Sequence, residues 1–183
     1  RQRRPARAFC AVARAIGTGV VGEVVIDAPG DFEAWRSAAR KLLAAGVAPD
    51  KVSWCGGGEG ASLFGDEATP APAGSVSLPR ELLEIAERVI CHRDPEVPAR
   101  LYRMIWRAAR DRYLLARTTD TEVDWLRKAD KAIRRDVHKM HAFVRFRRLG
   151  EDEAGRESFA AWFEPSHNIL RLTAPFFQRR FYG

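Results

Sequence analysis

Hydrophobic residues near the start of the chain first alternate with polar ones and then recur at helical spacing. Residues 20–29, VVGEVVIDAP, alternate weakly and predict a strand. Asp31 stands at an N-cap position, and Gly46 stands where a glycine commonly follows the end of a helix. KVSWC resumes as a second strand, so the pattern predicts a β-α-β unit. The apolar positions of its helix are Phe32, Trp35, Ala39, Leu42 and Leu43.

The next region shows helical periodicity from residue 76 to about Val137. Pro79 is well placed as the first residue of a helix, and CHRDPEVP separates this helix from the next one. Thr119 and Glu122 form a capping-box pattern, which predicts the start of a third helix. The positions predicted to be buried are Leu82, Leu83, Ala86, Val89 and Ile90 in the first helix and Val123, Leu126, Ala129 and Ile133 in the third. In the second helix one face carries Leu101, Ile105, Ala108 and Arg112, and the adjacent face carries Tyr102, Trp106, Ala109 and Tyr113.

The chain then predicts an antiparallel hairpin made of residues 141–148 and 158–164, since apolar and polar residues alternate in both segments. In the favoured register Phe143 lies opposite Trp162. A shift by one residue would bury the carboxylate of Glu164 without a partner, which is costly.

The two faces of this hairpin differ in character. Phe143 and Trp162 share one face with Arg145 and Arg147, where rings offer stacking surfaces to unpaired bases and guanidinium groups bind phosphates. The pattern leaves open the alternative that a helix covers this face too. The other face is apolar and is expected to pack on the helices; it consists of Ala142, Val144, Phe146, Phe159, Ala161 and Phe163.

These elements predict an α+β fold: a small β-α-β leader, then a helical region packed on an antiparallel hairpin. We expect a basic arm at residues 1–19, the leader at 20–55, a flexible Gly-, Ala- and Pro-rich linker at 56–75 and the main domain at 76–183. Pro175 is expected to start a short final helix.

Charge is distributed unevenly along the chain. The net charge is +7, while residues 1–19 contain five arginines and no acid, and residues 100–148 contain 15 basic and 6 acidic residues. A local basic field predicts a polyanionic partner, and nucleic acid is the favoured one. A solvated helical surface or a membrane surface stays open as an alternative, although no apolar run is long enough for a transmembrane helix.

The candidate site residues form two sets. Asp136, His138, Glu164 and His167 are expected to converge at one end of the hairpin, and His138, Glu164 and His167 are the candidates for general acid–base or metal chemistry. The three cysteines are widely spaced without a C-x-x-C pair, so they predict neither a cysteine zinc site nor an iron–sulfur cluster, and no cofactor is expected. Their sparse, odd number is typical of reduced thiols in the cytoplasm. The candidate nucleic-acid-binding residues are Arg103, Arg107, Arg134, Arg135, Lys139, Phe143, Arg145, Arg147 and Trp162.

Four blocks, LYRMIWRAARDR, RRDVHKMHAFVRFR, FAAWFEPSHNIL and APFFQRRF, resemble an uncharacterised DNA-metabolism domain family. Its members are fused ahead of UdgX-like uracil-DNA glycosylases or encoded beside a radical-SAM protein. The resemblance covers Val76–Phe181, and the leader is similar to that of the fused members, so the chain looks like the N-terminal part of such a fusion without the glycosylase half. Members usually continue into a segment resembling W-S-I-L-T-P, which is not found here. The matching residues are Arg103, Trp106, His138, Lys139, Met140, Phe143, Arg145, Arg147, Trp162, Glu164, Pro165 and His167.

The resemblance and the residues together predict a DNA-binding accessory domain of a uracil-DNA-glycosylase-type repair protein. It would contact phosphates and unpaired bases of single-stranded or damaged DNA, without a cofactor and without a membrane. One alternative is a metal-assisted hydrolase or another DNA-processing enzyme that uses the His/Glu cluster. The other is a protein-interaction module that docks its own glycosylase domain or a radical-SAM repair protein.

Overall fold

The computed structural model describes most of the chain outside its N-terminal arm and the linker, namely residues 22–26, 30–56, 77–151, 155 and 157–182. The predicted basic arm and nearly all of the predicted linker lie outside these residues. Helices and strands are mixed, which confirms the predicted α+β class. Within the described ranges, no helix has the length and apolar character needed to cross a membrane.

The N-terminal unit is the predicted β-α-β leader. Strand β1 (Gly22–Ile26) pairs in parallel with β2 (Val52–Gly56), and helix α1 (Phe32–Ala44) connects them. The carboxylate of Asp31 caps α1 by accepting a hydrogen bond, 3.1 Å long, from the backbone N–H three residues later. Gly46 follows the helix with a φ of +68°, a left-handed conformation that glycine adopts without strain. Both predicted ends of the helix are confirmed.

Three helices form the centre of the molecule: α2 (Arg80–Val89), α3 (Val97–Ala108) and α4 (Thr121–Phe143). Short 3-10 turns precede β2 and α4, at Pro49–Lys51 and Leu114–Ala116. The predicted inner positions of α2 and α4 are buried except Leu83, which is half-buried, and the Leu101 face of α3 is buried except Arg112, which lies beyond the helix and is exposed. The helical periodicity therefore identified the core correctly.

The leader packs directly on α3. The indole N–H of Trp35, which is 1% exposed, donates to the carbonyl of Pro98 at 3.1 Å. The hydroxyl of Tyr102 donates to the carbonyl of Val47 at 2.6 Å, and its ring lies 5.5 Å from that of Trp54 between centroids. Burial removes this phenol from water and raises the pKa of Tyr102 to about 12. One hydrophobic core thus includes both the leader and the helices.

Helix α4 extends beyond its predicted end, and the prediction of a strand from residue 141 was wrong. Ile133, Asp136 and Met140 are buried on its inner side at spacings of three and four, and Val144 is buried just past its end. A carboxylate therefore occupies a core position. Because Asp136 interrupts the apolar pattern, the alternation that follows it mimics a strand in the sequence.

The N-cap of α4 also differs from the prediction. The carboxylate of Asp120 accepts hydrogen bonds from the backbone N–H groups of Glu122 and Val123, at 3.0 and 3.2 Å. Thr119 is exposed and makes no such bond. Asp is at least as good an N-cap as Thr, so the capping box that Thr119 was expected to form is replaced by a cap one residue later.

The final helix, α5 (Leu170–Tyr182), begins five residues before Pro175, so the prediction that this proline starts the helix was wrong. Ile169 and Thr173 are fully buried, and the Thr173 hydroxyl donates to the Ile169 carbonyl at 3.1 Å. Phe177 continues the same spacing and is partly buried against the core. These contacts hold the first turn of the helix in place ahead of the proline.

The antiparallel hairpin is shorter than predicted and has a different register. Strand β3 (Arg147–Glu151) pairs with β4 (Glu157–Ala160), and Arg147 lies opposite Ala160 rather than opposite Ser158. The residues predicted to pair with the end of β4 belong to α4 instead. The cross-strand pair of Phe143 and Trp162 is therefore not formed. The prediction that one face of the hairpin packs on the helices was wrong in part, because Val144, Phe146 and Phe163 are buried or partly buried whereas Ala142, Phe159 and Ala161 are exposed.

Candidate nucleic-acid interface

The solvent-facing side of the C-terminal half of α4 carries a row of positive charges. Lys131, Arg135 and Lys139 are exposed and follow one another at intervals of four residues, and we call these three residues the cationic row. Residues four apart are neighbours on a helix and rise by about 6 Å along its axis. Within the described part of the chain, no acid forms an ion pair with any of the three. Phe143 follows at the same spacing and is also exposed.

The cationic row is unfavourable for the isolated helix. Like charges four residues apart destabilise a helix by about 0.2–0.5 kcal/mol per pair, and the row contains two such pairs. The helix dipole favours cations only within the last turn, whose basic residue is His141, so it stabilises none of the three residues of the row. The row therefore does not contribute to the stability of α4.

Other basic side chains of α4 make contacts inside the protein. Lys128 pairs with Asp124 at 2.7 Å, and Arg134 lies 3.6 Å from Asp130. Arg127 donates to a main-chain carbonyl of the preceding 3-10 turn at 2.7 Å. Of the predicted phosphate contacts on α4, Arg134 is thus paired with a carboxylate of the protein. Arg135 and Lys139 have no such partner among the described residues.

The two predicted arginines of α3 have different surroundings. Arg107 donates to both carboxylate oxygens of Asp120, the residue that caps α4. This hydrogen-bonded pair lowers the pKa of Asp120 to about 2. Arg103 is exposed, and no acid in the described ranges pairs with it. Arg107 therefore stabilises a helix end, and Arg103 alone of the two is available to a ligand.

The arginines around the hairpin differ in the same way. Arg145 donates to the carbonyls of Ala142 and Val144 at 2.8 and 3.1 Å and thereby satisfies the C-terminal end of α4. Arg148 pairs with two glutamates of the hairpin, at 3.0 and 2.6 Å. Arg147 is exposed and has no ion-pair partner among the described residues. It is the guanidinium group of this region that is available to a phosphate.

Two aromatic rings lie on the surface beside these charges. Phe143 is 66% exposed and Trp162 is 84% exposed. Neighbouring residues point the other way: Val144 is 8% exposed, and Phe146 packs on Phe177 with ring centroids 5.2 Å apart. The alternative in which a helix covers both rings is therefore excluded. The expected exposure of the two rings is confirmed, although the strand pairing from which it was derived was wrong.

The structure does not assemble the predicted His/Glu cluster. His138 lies on the exposed side of α4, and Glu164 is exposed. His167 stacks on His92 instead, with ring centroids 4.2 Å apart, and its Nδ1 accepts the backbone N–H of Arg93 at 3.3 Å. In the described ranges, no group of three or more His, Cys, Asp or Glu side chains is arranged to hold a metal ion.

Asp136 instead anchors the segment before α5 to the inner side of α4. Its carboxylate is 5% exposed and accepts the backbone N–H of His167 at 2.9 Å. Burial lowers the pKa of both stacked histidines. Next to them, the N–H of Asn168 donates to the carbonyl of Cys91 at 2.8 Å, and a Cβ on Gly30 would lie 3.2 Å from the Cys91 sulfur. This joint holds the leader, the α2–α3 loop and the start of α5 together.

Sequence reasoning did not include Lys131 among the candidate binding residues. The signal that identifies it is its spacing of four residues from Arg135, which already lies within the predicted third helix. The continuation of that spacing to Lys139 is visible only once α4 is known to extend to Phe143. The sequence contains no signal that Arg107 and Arg145 make hydrogen bonds inside the protein, because those bonds depend on where their acceptors lie in the folded structure.

Comparison with known proteins gives one match. Residues 95–183, which contain α3, α4, the hairpin and α5, match the model of a family described as Domain of unknown function (DUF4130). Searches of curated proteins and of solved structures found no match to the chain. The matched region includes the cationic row, Phe143 and Trp162.

Proposed function

We propose that the protein is a DNA-binding module that contacts the phosphate backbone through the outer side of α4. The observation that supports this most strongly is the cationic row, in which three exposed positive charges lie along one helix and have no ion-pair partner among the described residues. Neutralising phosphates releases counterions, and this release supplies most of the free energy of non-specific DNA binding. Arg103 and Arg147 are further cations available to a phosphate.

A polyanion explains the arrangement better than a single charged ligand. The charges are spread along about 12 Å of helix axis instead of converging on one point, as they would around a small anion. The described ranges show no His, Cys, Asp or Glu cluster suited to a metal, so the alternative of a metal-assisted hydrolase gains no support from the geometry. Phosphate contacts of this kind position a protein on DNA without reading its sequence.

The biological setting is part of the same proposal. The module serves as an accessory domain of a uracil-DNA-glycosylase-type repair protein in the cytoplasm, either beside its own glycosylase domain or with a radical-SAM repair protein. The resemblance of the four sequence blocks to that group supports this setting, and the match to a domain of unknown function is compatible with it.

A pair of charge-matched variants tests the proposal. The first, K131A/R135A/K139A, removes the cationic row. The second, R40A/K41A/K51A, removes the same net charge from exposed positions of the leader. Binding of the full chain to fluorescein-labelled DNA is measured by anisotropy over a range of salt concentrations. The row variant is expected to bind more weakly, with a plot of log K against log salt that is flatter by about 2, while the leader variant keeps the slope of the parent.

The outcome that contradicts the proposal is equal behaviour of the two variants. Equal weakening would mean that only net charge matters, and no weakening would mean that α4 does not contact DNA. Circular dichroism melts of both variants establish that they are folded, so that a loss of binding can be assigned to the removed charges.

A further inference from the structure

We infer that the ligand of this surface is a single strand whose bases stack on Trp162 and Phe143 while its phosphates lie along the cationic row. This inference rests on the proposed function and names its substrate class. It is carried by the two exposed rings, an observation independent of the charges.

The exposure of the two rings contrasts with the packing of other aromatic residues in the same region. Phe146 and Phe163 are partly buried against the core, so the fold has room for aromatic side chains here. Trp162 at 84% and Phe143 at 66% exposure contribute little buried area to that core. Large apolar rings left in water beside a charged surface are typical of binding sites.

The chemistry of the rings selects unpaired bases. In a duplex each base face is covered by the neighbouring base pairs, whereas a single strand can present a base to an aromatic side chain. Such stacking contributes about 1–3 kcal/mol per base and tolerates any base, because every base has a π-face.

The topology places the rings at the end of the cationic row. Phe143 follows Lys139 by four residues, so it continues the line of the row to the C-terminal end of α4. Trp162 is two residues beyond Ala160, which pairs with Arg147. The guanidinium group of Arg147, which has no ion-pair partner in the described ranges, and both rings therefore belong to the end of the hairpin that adjoins α4. Single-stranded DNA that extends past the C-terminal end of the cationic row would therefore reach the two aromatic rings.

The carboxylate of Glu164 is expected to weaken the binding of single-stranded DNA at this site. Glu164 is exposed two residues after Trp162 and adds a negative charge near the proposed stacking site. Replacing it by glutamine, E164Q, removes the repulsion of phosphate while keeping the size of the side chain. We expect this variant to bind a single strand more tightly than the parent does.

The experiment compares single-stranded and duplex DNA on the same set of variants. The probes are a labelled oligothymidylate of about 12 nucleotides, within the site sizes of such proteins, and a duplex of the same length. W162A and F143A are each expected to weaken single-strand binding by about 5- to 150-fold, the equivalent of one lost stacked base, and to leave duplex binding unchanged. L149A is the matched control, since Leu149 is 71% exposed on the hairpin but has no aromatic ring.

The outcomes separate this inference from the proposed function. If F143A/W162A binds the single strand as tightly as the parent while K131A/R135A/K139A binds it weakly, stacking is refuted and phosphate binding stands. If the row variant also retains full affinity, the proposed function itself fails. If F143A/W162A weakens duplex binding as much as single-strand binding, the rings serve a general contact and single-strand selection is refuted. A conservative W162F variant should retain most of the affinity, which a purely structural role of the indole would not predict.

Discussion

Charged residues lie on both sides of α4, but their surroundings on the two sides are opposite. On the inner side, Asp130 and Asp136 are nearly inaccessible to solvent, and each has a partner: Arg88 binds the first at 2.5 Å, and the His167 N–H binds the second. On the outer side, the cationic row has no intramolecular partner in the described part of the chain. Buried charge is acceptable only when it is paired, whereas exposed charge is free to remain unpaired.

This difference shows that the number of basic residues is a poor guide to an interface. Arg107 and Arg145 were predicted to contact DNA, yet the first holds the cap of α4 and the second satisfies its last carbonyls. Lys131 was not among the predicted contacts and is free to bind a ligand. What decides is whether an acceptor lies within reach of each cation, and the following experiments test that distinction.

The largest effect on stability is expected on the inner side. D136A leaves the buried N–H of His167 without an acceptor, which should lower the free energy of unfolding by about 1–3 kcal/mol. D136N keeps an acceptor and should recover part of that loss. D124A on the exposed side should change stability by less than about 0.5 kcal/mol. Urea denaturation gives all three values, and a similar loss in D136A and D124A would contradict the distinction.

Acidification should weaken the joint that Asp136 anchors. Burial lowers the pKa of His92, His141 and His167 from the usual value of 6.5, so the unfolded chain binds protons more readily than the folded one. The stability that these neutral rings provide is complete above pH 6.5 and is lost as the pH falls below it. Urea midpoints at about pH 7.5 and about pH 5.5 should decrease toward the lower value, where most carboxylates are still ionised. A constant or rising midpoint would be the contrary result.

Removing the cationic row should not destabilise the fold. K131A/R135A/K139A eliminates two like-charge pairs and introduces alanine, the best helix former, so we expect the free energy of unfolding to stay the same or to rise by up to about 1 kcal/mol. The variant would then be at least as stable as the parent while it binds DNA more weakly. A clear loss of stability in a thermal melt would show that the row contributes to the fold instead.

The smallest effect separates two adjacent arginines of β3. R147A removes a guanidinium group that has no ion-pair partner among the described residues, and it should reduce the slope of log K against log salt by about 0.7 on single-stranded DNA. R148A removes a guanidinium group already held by Glu151 and Glu157, so the slope should not change. Equal slopes for the two variants would mean that pairing inside the protein does not determine availability to DNA.

The parts of the fold that were predicted correctly depend on local signals. The β-α-β leader follows from Asp31 at one end of α1 and Gly46 at the other, and the core stripes of α2 and α3 follow from helical periodicity. Each of these signals lies within a few residues of the structure it determines, so the sequence alone contains it.

The errors arose where a distant contact decides the structure. The carboxylate of Asp136 can be buried because it accepts a hydrogen bond from the N–H of His167, 31 residues away. When that partner is not known, the alternation after Asp136 predicts a strand. The expected convergence of His138, Glu164 and His167 also failed on a distant contact, because His167 stacks on His92. The sequence correctly indicated a basic region and two exposed rings. It did not show which of the basic residues are paired inside the protein, because that depends on the positions of the acceptors in the folded structure.

The core shared by the leader and the helices sets the size of the smallest piece that can be transplanted. The family match begins at residue 95, yet Arg88 of α2 reaches Asp130 of α4, and Trp35 of the leader donates to Pro98 at the start of α3. A chimera that contained only the matched region would expose to solvent the apolar surfaces of α3 and α4 that pack on α1 and α2, and it would tend to aggregate. A segment that is transplanted into another protein must therefore include α1 and α2.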